Sequence, residues 1–95
     1  MIKLNKLAIQ CLKSALSRGV ITGNSNPRVF VAMISAHWRR LWSSSKARCD
    51  SNPHYSERED AAADIIISTM TYLQSIGCES IEELLRVKIE QQSRK

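Results

Sequence analysis

No aspartate or glutamate occurs anywhere from residue 28 to residue 49. Whatever its conformation, that stretch cannot offer a carboxylate to a cation. Cysteine is also scarce: Cys11, Cys49 and Cys78 are odd in number and unrelated in spacing, which excludes both a disulfide framework and a zinc-ligand pattern. A reducing, cytoplasmic setting is the expectation. Apolar runs are short, and none approaches the roughly 20 residues of a membrane span. The opening Met1-Ile2-Lys3-Leu4-Asn5-Lys6 lacks the apolar core and small-residue cleavage site of a signal peptide. A soluble, unprocessed chain with no membrane partner is expected. Strand patterning is almost missing, as are internal repeats and low-complexity tracts.

What is present is one small basic chain of 95 residues and 10.8 kDa. A monomer of that size buries only roughly 60 to 65% of its unfolded surface, so association into a homo-oligomer is a natural source of further stability. The net charge of +5 is unevenly spread. Residues 1–50 carry nine basic groups against Asp50 alone, whereas residues 51–95 carry five basic groups against eight acids. Such halves can complement each other within the fold or across a dimer, and the basic half can attract phosphates or nucleic acid.

Helical periodicity dominates. Leu4, Leu7, Ala8, Cys11, Leu12, Ala15 and Leu16 recur at three and four residues before Gly19, predicting a first helix from Leu4 to about Arg18. Residues 21–26 read as loop. Asn26 as cap and Pro27 as first-turn proline open a second helix carrying the stripe Phe30, Met33, Ile34, His37, Trp38, Leu41 and Trp42 to about Ser43. The polar segment from Ser43 to Pro53 reads as a mobile connection able to close over a ligand. A capping box, Ser56 with Glu59, begins a third helix that runs to a Gly77 stop, and its broad apolar surface predicts burial on more than one side. A second box, Ser80 with Glu83, opens a fourth helix on which Ile81, Leu84, Leu85 and Ile89 are expected to pack inward. The expected architecture is an all-α, antiparallel four-helix bundle formed by a single domain over residues 1–95 and completed by oligomerisation.

Two carboxylates, Asp60 and Asp64, lie four residues apart on the third helix and therefore share a face beside an apolar run. Such a pair suggests a cation site. The facing stretch Ser35-Ala36-His37-Trp38-Arg39-Arg40 supplies a methyl group and two guanidinium groups instead of further acids. Either arginine would oppose a divalent cation, and could neutralise Asp64 by a charge-assisted hydrogen bond in its place. His37 is expected to be a partly buried packing residue, and Trp38 and Trp42 to belong to a core or a subunit interface. Cys11 and Cys78 are expected to be inert.

The order of a Leu4-Asn5-Lys6-Leu7-Ala8 helix opening, an Arg18-Gly19 turn, a serine-rich loop and an acidic helix entering Asp64-Ile65-Ile66-Ile67 resembles the MazG-like all-α nucleoside triphosphate pyrophosphohydrolases. Gly77 and the closing Lys88-Ile89-Glu90-Gln91-Gln92-Ser93-Arg94-Lys95 extend the resemblance over nearly the whole chain, and it points to the short bacterial and phage members. It implies magnesium held by Glu-x-x-Glu on the second helix and Glu-x-x-Asp on the third, with a Lys-x-x-x-Asn-x-x-Arg pattern on the last helix contacting nucleotide. In this chain the second-helix acids fall on Ala36 and Arg39 and the first acid of the third helix on Ala61, so only Asp64 matches at the metal end. Lys88 matches at the nucleotide end, with Gln92 in place of asparagine and Lys95 in place of arginine. The resemblance therefore implies metal residue Asp64, to which the four-residue spacing adds Asp60 weakly, and nucleotide- or phosphate-binding residues Lys88, Gln92 and Lys95; Arg39 is a further phosphate-binding candidate by its charge. No catalytic residue is assigned.

Three functions follow as expectations. The first is a pyrophosphohydrolase-fold protein stripped of most metal ligands, acting by nucleotide or phosphate binding or by protein assembly and needing no cofactor. The alternative is an active enzyme cleaving nucleoside triphosphate to monophosphate and pyrophosphate with Mg2+ held by Asp60 and Asp64. The second alternative is a small basic module that binds nucleic acid or a protein partner through the Lys and Arg surface of residues 1–49.

Overall fold

A computed structural model describes residues 3–19, 26–44, 48–49 and 52–94. The described chain is helical with one small hairpin: α1 (Leu4–Ser17), α2 (Pro27–Ser43), β1 (Arg48–Cys49), β2 (Asn52–Ser56), α3 (Glu57–Ser75) and α4 (Ile81–Ser93). None of the described helices is long and apolar enough to cross a membrane. The elements form two compact units, one of residues 1–25 and 70–95, the other of residues 26–69, and α3 contributes to both.

In the first unit Ala8 of α1, Met70 of α3 and Ile81 of α4 form the buried centre, with Leu4, Leu7, Leu73 and Cys78 packed around it. Ala8 is fully buried, and its small side chain lets α1 approach the start of α4. The two helices are also tied by polar bonds. The Asn5 side-chain carbonyl accepts from the Ile81 and Glu82 amides at 2.9 and 3.1 Å, and its amide group donates to Ser80 Oγ at 3.1 Å. Asn5 thus satisfies first-turn N–H groups of α4 that have no partner within that helix. Ser80 acts as the cap the sequence predicts, accepting from the Glu83 amide at 3.2 Å. The Glu83 carboxylate pairs with Arg86.

α3 ends at Gly77, whose φ of 82° lies in the left-handed region that only glycine enters without strain. The Cys78 amide then reaches back to the Leu73 carbonyl at 3.0 Å, the six-to-one bond of a Schellman end.

In the second unit Asn26 caps α2 through its side-chain oxygen, which accepts from the Arg28 amide at 2.9 Å, and Pro27 occupies the first turn. Phe30 is buried, while Met33, Ile34, His37 and Leu41 behind it are half-buried. α3 begins with the reciprocal capping box: the Glu59 amide donates to Ser56 Oγ at 3.1 Å and the Ser56 amide to Glu59 Oε1 at 3.2 Å. Ala61 and Ser68 of α3 are buried.

Several expectations require correction. Part of the segment read as a polar connection is a β-hairpin, with Arg48 opposite Ser56 and Cys49 opposite Asn52 in antiparallel register and an irregularity between. Backbone groups carry the pairing, and β2 is exposed at its three central residues with no apolar alternation, so no hydrophobic pattern announces it. Residues 21–25, 45–47, 50–51 and 95 lie outside the described residues. On α4 only Ile81 in the first turn is buried and Val87 is half-buried, whereas Leu84, Leu85 and Ile89, expected to face inward, are 38%, 43% and 64% exposed. α3 is buried on more than one side, as expected, since Met70 lies about 180° around the helix from Ala61, while Ile66 and Ile67 are exposed. Trp38 and Trp42 are not core residues, being 57% and 82% exposed. Helical rotation of about 100° per residue explains this, since it sets Phe30, Ile34, His37 and Leu41 along one line and swings both tryptophans onto its flank.

Candidate functional site

The acids singled out on α3 meet a cation supplied by α2. Arg40 Nη2 donates to Asp64 Oδ2 and stands 3.3 Å from Asp60 Oδ2, so one guanidinium bridges both carboxylates. His37, one turn before Arg40 on the half-buried line, brings Nδ1 to 4.0 Å from the same Asp64 oxygen. The four side chains come together because residues 37 and 40 share a face of α2, and residues 60 and 64 share a face of α3. Asp60 is the most enclosed of the group, its side chain 23% exposed against 36% for Asp64 and 48% for Arg40.

Of the two arginines able to neutralise Asp64, Arg40 does so. Arg39, one residue earlier, points about 100° away around α2 and borders the exposed indoles of Trp38 and Trp42. Asp60 also lines a surface hollow with Asn52, Tyr55, Glu59 and Ala63, in which Glu59 is engaged by the Ser56 amide.

This donor set does not suit a magnesium pair. Magnesium takes near-octahedral oxygen coordination, and two-metal sites need several carboxylates per ion pair. Here two carboxylates converge on a guanidinium, and Ala61, one turn before Asp64, is fully buried with only a methyl side chain. Among the described residues no group of three or more His, Cys, Asp or Glu side chains is placed to hold a metal ion.

The residues assigned to nucleotide or phosphate fall in different units. Lys88 and Gln92 lie one turn apart on the exposed part of α4, in the first unit, while Arg39 belongs to the second. Lys95 is outside the described residues. Along the same helix Glu83 and Glu90 are tied to local arginines: Arg86 bonds Glu83 at 2.6 Å and Glu90 at 3.3 Å, and Arg94 bonds Glu90 at 2.7 Å. The Arg86 guanidinium hydrogen-bonds Glu83 and holds its carboxyl below the ordinary glutamate value. In α1, burial raises the Cys11 thiol, which favours its neutral form.

Two features escaped the sequence reading. Asn5 contacts residues more than 70 positions away, and nothing in its local pattern signals a capping role. Arg58, also unassigned, donates from Nε to the Ser44 carbonyl at 3.3 Å and stands beside Trp38, Leu41 and Trp42. No family model, curated protein or solved structure matches the chain.

Proposed function

We propose that this chain is a helical scaffold of MazG-like type in which the Arg40 guanidinium stands where the family's divalent cations would, and which acts by binding a phosphate-bearing ligand or by assembly, without hydrolysing it. The observation carrying this reading is the bridge from Arg40 to Asp60 and Asp64. A guanidinium offers the carboxylates charge and hydrogen bonds but cannot lower the pKa of a bound water, the step for which pyrophosphate-releasing enzymes recruit metal. Lys88 and Gln92 of the first unit are the residues proposed to meet a nucleotide or other phosphate.

Assembly is supported by the exposed Leu84, Leu85 and Ile89 of α4, an apolar set on an otherwise charged helix. Self-association would remove that surface from water at about 25 cal/mol per Å² of apolar area. The proposed bundle would then be completed between subunits.

Incubation with a mixture of nucleoside triphosphates and excess magnesium tests the reading against the enzymatic alternative. The expected result is no pyrophosphate release above the buffer rate, together with binding of a non-hydrolysable triphosphate that persists in chelator. Magnesium-dependent release of pyrophosphate that collapses in Asp64→Ala would establish the enzyme instead.

A further inference from the structure

The flank of α2 away from Arg40 carries a second set of groups. Trp38 and Trp42 are one turn apart and 57% and 82% exposed, unusual positions for the two largest apolar side chains in a small chain. Arg39 lies with them around one hollow. In an adjoining hollow Leu41 and Arg58 join the same indoles, and the bond from Arg58 Nε to the Ser44 carbonyl fixes that guanidinium near the end of α2. No carboxylate is among the described residues lining either hollow.

We infer that this face binds single-stranded nucleic acid, with unpaired bases stacking on Trp38 and Trp42 and phosphates meeting Arg39 and Arg58. Indole faces accept any base, and guanidinium groups supply the backbone contacts, the combination that sequence-tolerant single-strand binders use. The chain's net charge of +5 and pI near 9.5 draw a polyanion in the same direction. A second copy docking through this face about a two-fold axis would set Arg39 and Arg58 close to their own counterparts with no acid in the patch to offset them. Duplex is disfavoured for a different reason, because its bases are already stacked on each other and present only edges in the grooves. The site is separate from the Arg40 bridge, so it stands whether or not the proposed function does.

The chain's only tryptophans are Trp38 and Trp42, so tryptophan emission excited at the red edge, where Tyr55 and Tyr72 do not absorb, reports on this face alone. Titration with an oligo(dT) strand of about ten nucleotides should quench that emission. Affinity should fall with log salt at a slope of about −0.7 per phosphate contact, and R39Q and R58Q should each flatten the slope by about that amount. Trp42→Ala should weaken binding roughly 5- to 150-fold, and its high exposure leaves folding intact, as circular dichroism would confirm. Equal affinity for a duplex of the same length, or binding with unchanged emission, would overturn the inference. So would a concentration-dependent blue shift of the emission without nucleic acid, abolished by Trp42→Ala, which would assign the face to a second copy.

Discussion

Arg40 of α2 and Asp64 of α3 are joined by a charge-assisted hydrogen bond, and the same guanidinium reaches Asp60 one turn earlier. Without Arg40 the two carboxylates would face each other at i,i+4 spacing, where like charges oppose helix formation. The pairing is half-exposed, which limits its thermodynamic weight and leaves it open to screening. Arg40→Gln should therefore lower stability by about 0.5–1 kcal/mol at low ionic strength, and by less in molar salt. Urea melts at two salt concentrations would measure both effects, and equal losses at both would mean that packing of the arginine stem, not charge, is responsible.

Asn5 fastens α1 to the start of α4 through three side-chain hydrogen bonds, and its backbone N–H donates a fourth to the Glu82 carboxylate. Asn5→Ala should cost about 1–2 kcal/mol, the usual loss when a helix cap is removed and amides are left without partners. Asn5→Asp keeps the acceptor but forfeits the bond to Ser80, so it should lose less. Equilibrium unfolding of the two variants would rank them, and a neutral Asn5→Ala would show that water replaces the cap.

Gly77 offers open space where a β-carbon would be added, so its requirement is purely conformational. Gly77→Ala should destabilise by roughly 1 kcal/mol from the left-handed backbone alone, and Gly77→Asn by less. A midpoint shift in thermal melts of both variants would check the order.

Glu83 should contribute to helix stability through Arg86 in a pH-dependent way. Its carboxyl value is lowered in the folded chain, chiefly by the Arg86 hydrogen bond. The contribution is therefore present above the unfolded glutamate value and is lost as pH falls through the lowered folded one. Carbon-detected titration of Glu83 should give a value below that of free glutamate, and Arg86→Gln should bring it back up.

Much of the helical framework was legible because its signals are local. Asn26-Pro27, the Ser56–Glu59 box, the Ser80 cap and Gly77 each mark a helix end through bonds spanning a few residues. The Arg–Asp64 pairing was foreseeable too, since residues 28–49 hold no acid and two adjacent arginines occur there. Selecting Arg40 over Arg39 required the rotation of α2 relative to its half-buried line. The hairpin at Arg48–Cys49 and Asn52–Ser56 was hidden because backbone pairing of polar residues leaves no hydrophobic period. The core half of the expectation for Trp38 and Trp42 failed because a large aromatic at helical spacing reads as core, and a flank position about 80–120° from the buried line looks the same in one dimension. Leu84, Leu85 and Ile89 posed the same problem, as their pattern is that of an inward face although Ile81 is the one fully buried residue described on α4.

The proposal that the Arg40 guanidinium occupies the place of a divalent cation is tested most directly by calorimetric titration of magnesium into the unaltered chain and into Arg40→Gln. The account predicts no saturable binding by the unaltered chain, and a gain of weak, about millimolar binding in Arg40→Gln that Asp64→Asn removes again. Tight binding at more than one site per subunit of the unaltered chain, or no gain on removing Arg40, would contradict it.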